Sequence, residues 1–108
     1  KYYKLDKRDF KYNMNNGDYA YASRRLIEGE ELMEFGEDEL RTIRSEIYAR
    51  HGYSFKEKDM RYHFEGKDWY MPMSTDIREQ LSEIEEQNID LVYEYETYYD
   101  EYYDEFGR

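Results

Sequence analysis

Few side chains in this sequence are equipped for chemistry, and His51 is the first to consider. An imidazole titrates near neutral pH and acts as a general base when a partner orients it and a cleft delivers a substrate. His51 follows Arg50 at the end of a patterned segment, and neither a partner nor a cleft is visible around it. The structural reading is the stronger one: the ring points inward and gains from a helix C-terminus. Arg44 and Arg50 are the candidate cations. Each can capture a ligand carboxylate. Arg44 can instead pair across helices with Glu85 or Asp59, and Arg50 sits in a last helical turn, where positive charge belongs. Trp69 and Tyr70 are the best binding candidates, because flat rings stack on sugar faces. Adjacent residues of an extended segment point to opposite sides. One ring is therefore expected in the core, the other beside a groove with Arg50 or His51 on its wall. No metal or cofactor is expected. Cysteine is absent, which removes thiol chemistry, disulfides and Cys-ligated zinc. His51 and His63 form no His-x-x-x-His pair, and Gly-x-Ser-x-Gly does not occur.

These residues need elements to hold them. The clearest is a helix over 37–51, where Leu40, Ile43, Ile47, Tyr48 and His51 recur at spacings of three and four. Gly36 suits its N-cap, with Glu39 at the third helical position and Phe35 able to staple onto Leu40. Gly52 suits the left-handed position that ends it, and Tyr53 would fold back onto Tyr48. A second helix follows, with Phe55 stapling onto Met60, Phe64 on the same face, and Gly66 as its stop. Trp69-Tyr70-Met71-Pro72 is a connector, held extended at Met71 by Pro72. A last helix starts at Ser82-x-x-Glu85 or at Asp76-x-x-Glu79, two equally fair capping boxes. It runs to about Tyr99, and its aromatic stripe continues through Tyr102. Ile77, Leu81, Ile84, Asn88, Leu91 and Tyr95 share its face, so Ile47 and Ile84 are expected in the seam. Asn88, polar on an apolar stripe, is expected to satisfy loop backbone groups. Before these come a short helix of about two turns near Glu28–Glu34 and an unpatterned arm over 1–22. Asn15-Asn16-Gly17-Asp18 marks a turn in that arm, with short extended pieces around Asp18–Ala22.

Composition sets the outer limits. At 108 residues the chain is one domain in size. Only 18 residues are Leu, Ile, Val or Phe, too few for an aliphatic core beside a net charge of −11; fifteen tyrosines and one tryptophan supply the missing bulk. The acidic balance argues against nucleic acid, anionic lipid and polyanionic polymers as partners. No apolar run is long enough for direct membrane insertion, and no signal peptide is visible.

The stretch from Leu40 to Phe55 resembles the YARHG domain, a bacterial module named for the five residues Tyr48-Ala49-Arg50-His51-Gly52. Asp59-Met60-Arg61-x-x-Phe64 is similar to the family's acid-Leu-Arg-x-x-Phe helix, and Trp69-Tyr70-x-Pro72 to its Trp-Tyr-x-Pro. Leu81-x-x-Ile84-Glu85-x-x-Asn88-Ile89 is similar to its closing helix, and Ser23-x-Arg25-Leu26 to its lead-in. Ser45 departs from the Asn usual there. The resemblance implies a four-helix domain outside the cytoplasm, set beside kinase, peptidase or membrane-anchor segments. It implies a role in binding the cell wall, peptidoglycan above all, without established enzymatic activity.

The expected fold is all-α: an arm over 1–22, a helical domain over 23–96, and an acidic, Tyr-rich tail over 97–108. The expected function is a non-catalytic binding module of the cell envelope that takes peptidoglycan or another glycan through Trp69, Tyr70 and Arg50. The alternatives are a docking module for another domain of the parent protein, using the Tyr-rich face of the last helix, and a hydrolase centred on His51.

Overall fold

The computed structural model describes residues 16–105, with side chains from Asn16 to Tyr98. The arm expected before Asn16 and the side chains of the tail beyond Tyr98 lie outside the described residues. Four α-helices form the domain: α1 (Gly29–Leu32), α2 (Glu37–Arg50), α3 (Lys58–Glu65) and α4 (Glu83–Glu105). No strand occurs among the described residues, so the fold is all-α with a long C-terminal helix.

The ends of α2 follow from local rules. The Glu39 carboxylate accepts the Gly36 N–H at 3.0 Å, satisfying a donor that the helix leaves open. At the other end Gly52 takes φ +82°, the Gly52 N–H reaches the Ala49 carbonyl and the Tyr53 N–H reaches that of Tyr48. This is a Schellman motif, and the Tyr53 ring meets the Tyr48 ring edge-on at 5.5 Å. A side chain at Gly52 would be strained twice over, by its φ and by the Met71 carbonyl 3.0 Å from the added carbon.

The other elements differ from expectation in instructive ways. The helix expected near 28–34 is a single turn, α1, bounded by Glu28 and Met33. The pieces expected to be extended around Asp18–Ala22 form a 3-10 turn over Ala20–Ser23. Helix α3 takes Glu57 as its N-cap, so Phe55 stands two residues before the cap. It still joins Met60 in one apolar cluster and stacks on Phe64 at 5.1 Å. Of the two possible starts for the last helix, Ser82 is the one used: Ser82 Oγ accepts the Glu85 N–H, and Glu85 accepts the Ser82 N–H. Asp76 instead accepts the Arg78 N–H at a separate 3-10 turn, Arg78–Gln80, whose N-cap is Ile77.

Helices α2 and α4 pack antiparallel, with His51 opposite Glu85 and Arg44 opposite Glu96. The main core joins Leu40, Ile43 and Ile47 of α2 to Val92 of α4, to Leu32, and to Ala22 and Ile27 from the preceding segment. A second cluster, Ala49, Phe55, Met60 and Phe64, lies under α3. The face of α4 that is buried is Glu85, Asn88, Val92 and Glu96, while Ile84 is only half-buried. The expected seam is corrected on this point. Two glutamates, Glu85 and Glu96, turn inward to meet His51 at the C-cap of α2 and Arg44 within it.

Candidate functional site

The side chains best placed for chemistry gather inside the domain. Arg50 is fully buried and its guanidinium is shared among several partners. Nε donates to Ser23 Oγ at 3.0 Å, one terminal nitrogen to Glu46 at 2.8 Å and the Asn16 carbonyl at 2.9 Å, and the other to the Tyr19 carbonyl at 3.2 Å. Glu46, one helical turn earlier, also accepts the N–H groups of Asp18 and Tyr19. Burial draws Arg50 below its ordinary value, and the bond to Glu46 opposes that pull. Beside this pair, His51 Nε2 lies 2.8 and 3.0 Å from the two oxygens of Glu85. Asn88 completes the centre by accepting the Ile27 N–H and donating to the carbonyls of Ala22 and Arg25.

Burial acts to raise the Glu85 carboxyl, but the bonds from His51, the Ser82 backbone and Ser23 outweigh it and leave Glu85 below its ordinary range. An ionised carboxylate only accepts, so the network assigns the Nε2 proton to His51 and the Ser23 hydroxyl proton to Glu85. The imidazole itself is 2% exposed. A carboxyl with a lower pKa folded than unfolded stabilises above its unfolded value and loses that stabilisation on acidification. Wild-type stability should therefore fall as pH drops below the ordinary glutamate value of 4.5. Glu85→Gln should show a shallower acid limb in urea melts taken from pH 6 to pH 3; an unchanged limb would remove Glu85 from the explanation.

Trp69 and Tyr70 do not straddle a groove. The Tyr70 N–H donates to the Lys67 carbonyl at 3.2 Å, so the connector turns at this point and the alternation of an extended chain does not apply. Both rings are half-buried against Phe64, at 6.1 and 5.8 Å, and the Tyr70 hydroxyl donates to the Tyr53 carbonyl. Arg50 and His51, enclosed elsewhere, provide no wall beside them.

The open surface with the richest chemistry lies over the end of α2. Tyr48 and Tyr53, both half-buried, form a ridge with a cleft on each side. One cleft, about 120 Å³, is lined by Arg41, Arg44, Ser45, Phe55 and Glu57 together with the two tyrosines. The other, about 220 Å³, has Thr75, Asp76, Ile77 and Arg78 as its remaining walls. The arginines here are ion-paired: Arg41 with Asp59, Arg44 with Glu96, and Arg78 with Asp76. Arg44 thus pairs with neither carboxylate expected for it, because Glu85 belongs to His51 and Asp59 to Arg41. Its guanidinium also lies over the Tyr93 ring at 5.2 Å. A separate apolar cleft of about 400 Å³ is formed by Met33, Glu94, Tyr95 and Tyr98.

The family model for the YARHG domain matches residues 17–97. The chain belongs to the YARHG domain family. No curated protein and no solved structure matches it. The YARHG family is of extracellular type. No helix among the described residues is long and apolar enough to cross a membrane.

Within this YARHG domain the five eponymous residues divide their work. Tyr48 faces the clefts, Ala49 lets the α3 side approach, Arg50 and His51 hold the buried network, and Gly52 makes the cap. The match begins at residue 17, ahead of the boundary expected at 22/23, and the 16–23 segment indeed bonds to Glu46 and Arg50. Helix α4 continues through the boundary expected at 96/97. Pro72 sits in the segment stitched to the α2 cap, where Gly52 O accepts from Met73 and Ser74. Sequence reasoning missed Glu46, Ser23 and Arg41. Glu46 had a signal, since it stands four residues before Arg50 on the same helix face; Ser23 and Arg41 had none.

Proposed function

We propose that the domain is a non-catalytic, extracytoplasmic binding module that holds a linear cell-wall glycan, peptidoglycan in particular, across the Tyr48–Tyr53 ridge. The observation that carries this reading is the ridge itself: two tyrosine rings between two shallow clefts, one bordered by Arg41, Arg44 and Glu57 and the other by the Arg78–Asp76 pair. Sugars offer an apolar ring face to an aromatic side chain and hydroxyls to paired charges that still have lone pairs and protons to share. Each cleft is smaller than the roughly 300–1,000 Å³ of pockets that enclose small molecules. An extended polymer lying across the surface fits better than an engulfed substrate. The family's extracellular type supports an extracytoplasmic location, and the ridge supplies the residues for a glycan.

The test is co-sedimentation of the protein with purified insoluble peptidoglycan. A single stacked ring contributes about 0.5–1.5 kcal/mol beyond its buried area. Tyr48→Leu, which keeps apolar bulk, should therefore weaken binding roughly two- to tenfold while the far-ultraviolet spectrum stays native. Trp69→Leu should have no such effect. Retention in moderate salt would mark stacking as dominant. If folded Tyr48→Leu pellets as well as wild type, the glycan reading fails. The Met33–Tyr95–Tyr98 cleft then favours the second reading, a docking module for another domain of the parent protein.

A further inference from the structure

We infer that Arg41 is the carboxylate anchor of the ridge site, and that Asp59 sits in the place a ligand carboxylate would take. The inference rests on the ridge reading and specifies its ligand: a glycan carrying one carboxylate on an otherwise neutral sugar.

Three arginines border the clefts, and only Arg41 can exchange its partner. Arg44 is fixed, because Glu96 is buried and the guanidinium is also covered by Tyr93. Arg78 is chelated by Asp76 two residues away, on a turn with little wall around it. Arg41 lines the smaller cleft, and its partner comes from a different element, the first turn of α3. The two terminal nitrogens of Arg41 hold the two oxygens of Asp59 at 2.6 and 3.1 Å, so this position already accepts a carboxylate bidentately. The pair is loosely kept, with the Asp59 side chain 61% exposed. Asp59 does not depend on Arg41 alone: its Oδ1 also accepts the Met60 N–H, and the start of α3 favours an anion whether or not Arg41 is bound.

Charge dictates exchange rather than addition. Arg41 already feels Glu57 and Glu96 as well as Asp59. A further anion entering this cleft would meet three carboxylates. If Asp59 swings off as the ligand arrives, the local charge does not change. The chain's own aspartate then acts as a built-in competitor against a ligand carboxylate.

The measurement is a nuclear magnetic resonance titration of the full chain with two disaccharides that share a sugar ring. One is chitobiose, which is neutral. The other is N-acetylglucosamine linked to N-acetylmuramic acid, which adds a single lactyl carboxylate. The acidic disaccharide should bind more tightly, shifting the Arg41 side-chain and Tyr48 signals. Removing an exposed competing pair should make Asp59→Asn tighter for the acidic sugar by roughly two- to fivefold. Chitobiose, which has no carboxylate to place there, should gain less than the acidic sugar in that variant, and Arg41→Gln should abolish the preference between the sugars. Should Arg41→Gln fail to fold, the Asp59→Asn arm decides alone. Equal binding of the two sugars, or an Asp59→Asn variant no tighter for the acidic one, overturns the inference and leaves the ridge reading standing. If neither sugar shifts any signal in wild type or in Asp59→Asn, the ridge reading falls together with it.

Discussion

Arg50→Ala is expected to cost about 3–5 kcal/mol, the range seen when one partner of a buried ion pair is removed. The loss is not a single bond. Glu46, 2% exposed, would lose its counter-charge, and the carbonyls of Asn16 and Tyr19 would lose a donor. Against a typical domain stability of about 5–15 kcal/mol, the variant should be largely unfolded on mild heating. Thermal melts followed by circular dichroism measure this directly. A double variant, Glu46→Gln with Arg50→Met, should be less damaged than Arg50→Ala alone, because no uncompensated charge stays inside. A midpoint for Arg50→Ala equal to wild type would mean that the network holds nothing together.

The second large effect belongs to the apolar seam. Ile47 is fully buried among Leu40, Ile43 and Val92, so Ile47→Ala should cost about 2–5 kcal/mol. Ile84, half-buried on α4, should cost less on the same change, about 1–2 kcal/mol for a side chain that stays partly wet. Urea denaturation of the two variants side by side gives the comparison. Equal losses would show that α4 turns Ile84 inward, contrary to the packing described here.

What could be read from the sequence was what short-range rules decide. The Gly36–Glu39 cap, the Gly52 stop and the Ser82–Glu85 box each depend on residues within a few positions of one another, and each is present. Asn88 was legible because a lone amide on an apolar stripe has to find backbone partners, and it finds three. Residues 16–23, apart from the turn at Gly17, were illegible for the opposite reason. They carry no periodicity, and they are ordered by side chains about 30 residues away, on a helix face that looks like solvent surface until something covers it. The ion pairs suffered from numbers. With 16 basic and 27 acidic residues, many pairings are compatible with the sequence, and only packing selects Glu96 for Arg44 and Asp59 for Arg41. The candidate site moved from Trp69 and Tyr70 to Tyr48 and Tyr53 because one turn at Lys67–Tyr70 folds both of the former rings against Phe64.

The segment over 16–23 has a further meaning. Glu46 and Arg50 carry charges that water would otherwise surround. Around them the peptide chain supplies what a hydration layer supplies: two N–H groups for the carboxylate, two carbonyls and a hydroxyl for the guanidinium. Gly17, at φ +102°, marks where that layer comes closest, since any side chain there would enter the space of the Glu46 carboxylate. Bulk water would exchange and reorient around the pair; this layer is tethered and fixed in composition. The stretch with the least pattern in the sequence thus serves as solvent built into the protein, and the hydrophilic face of α2 is interior because its water is made of backbone.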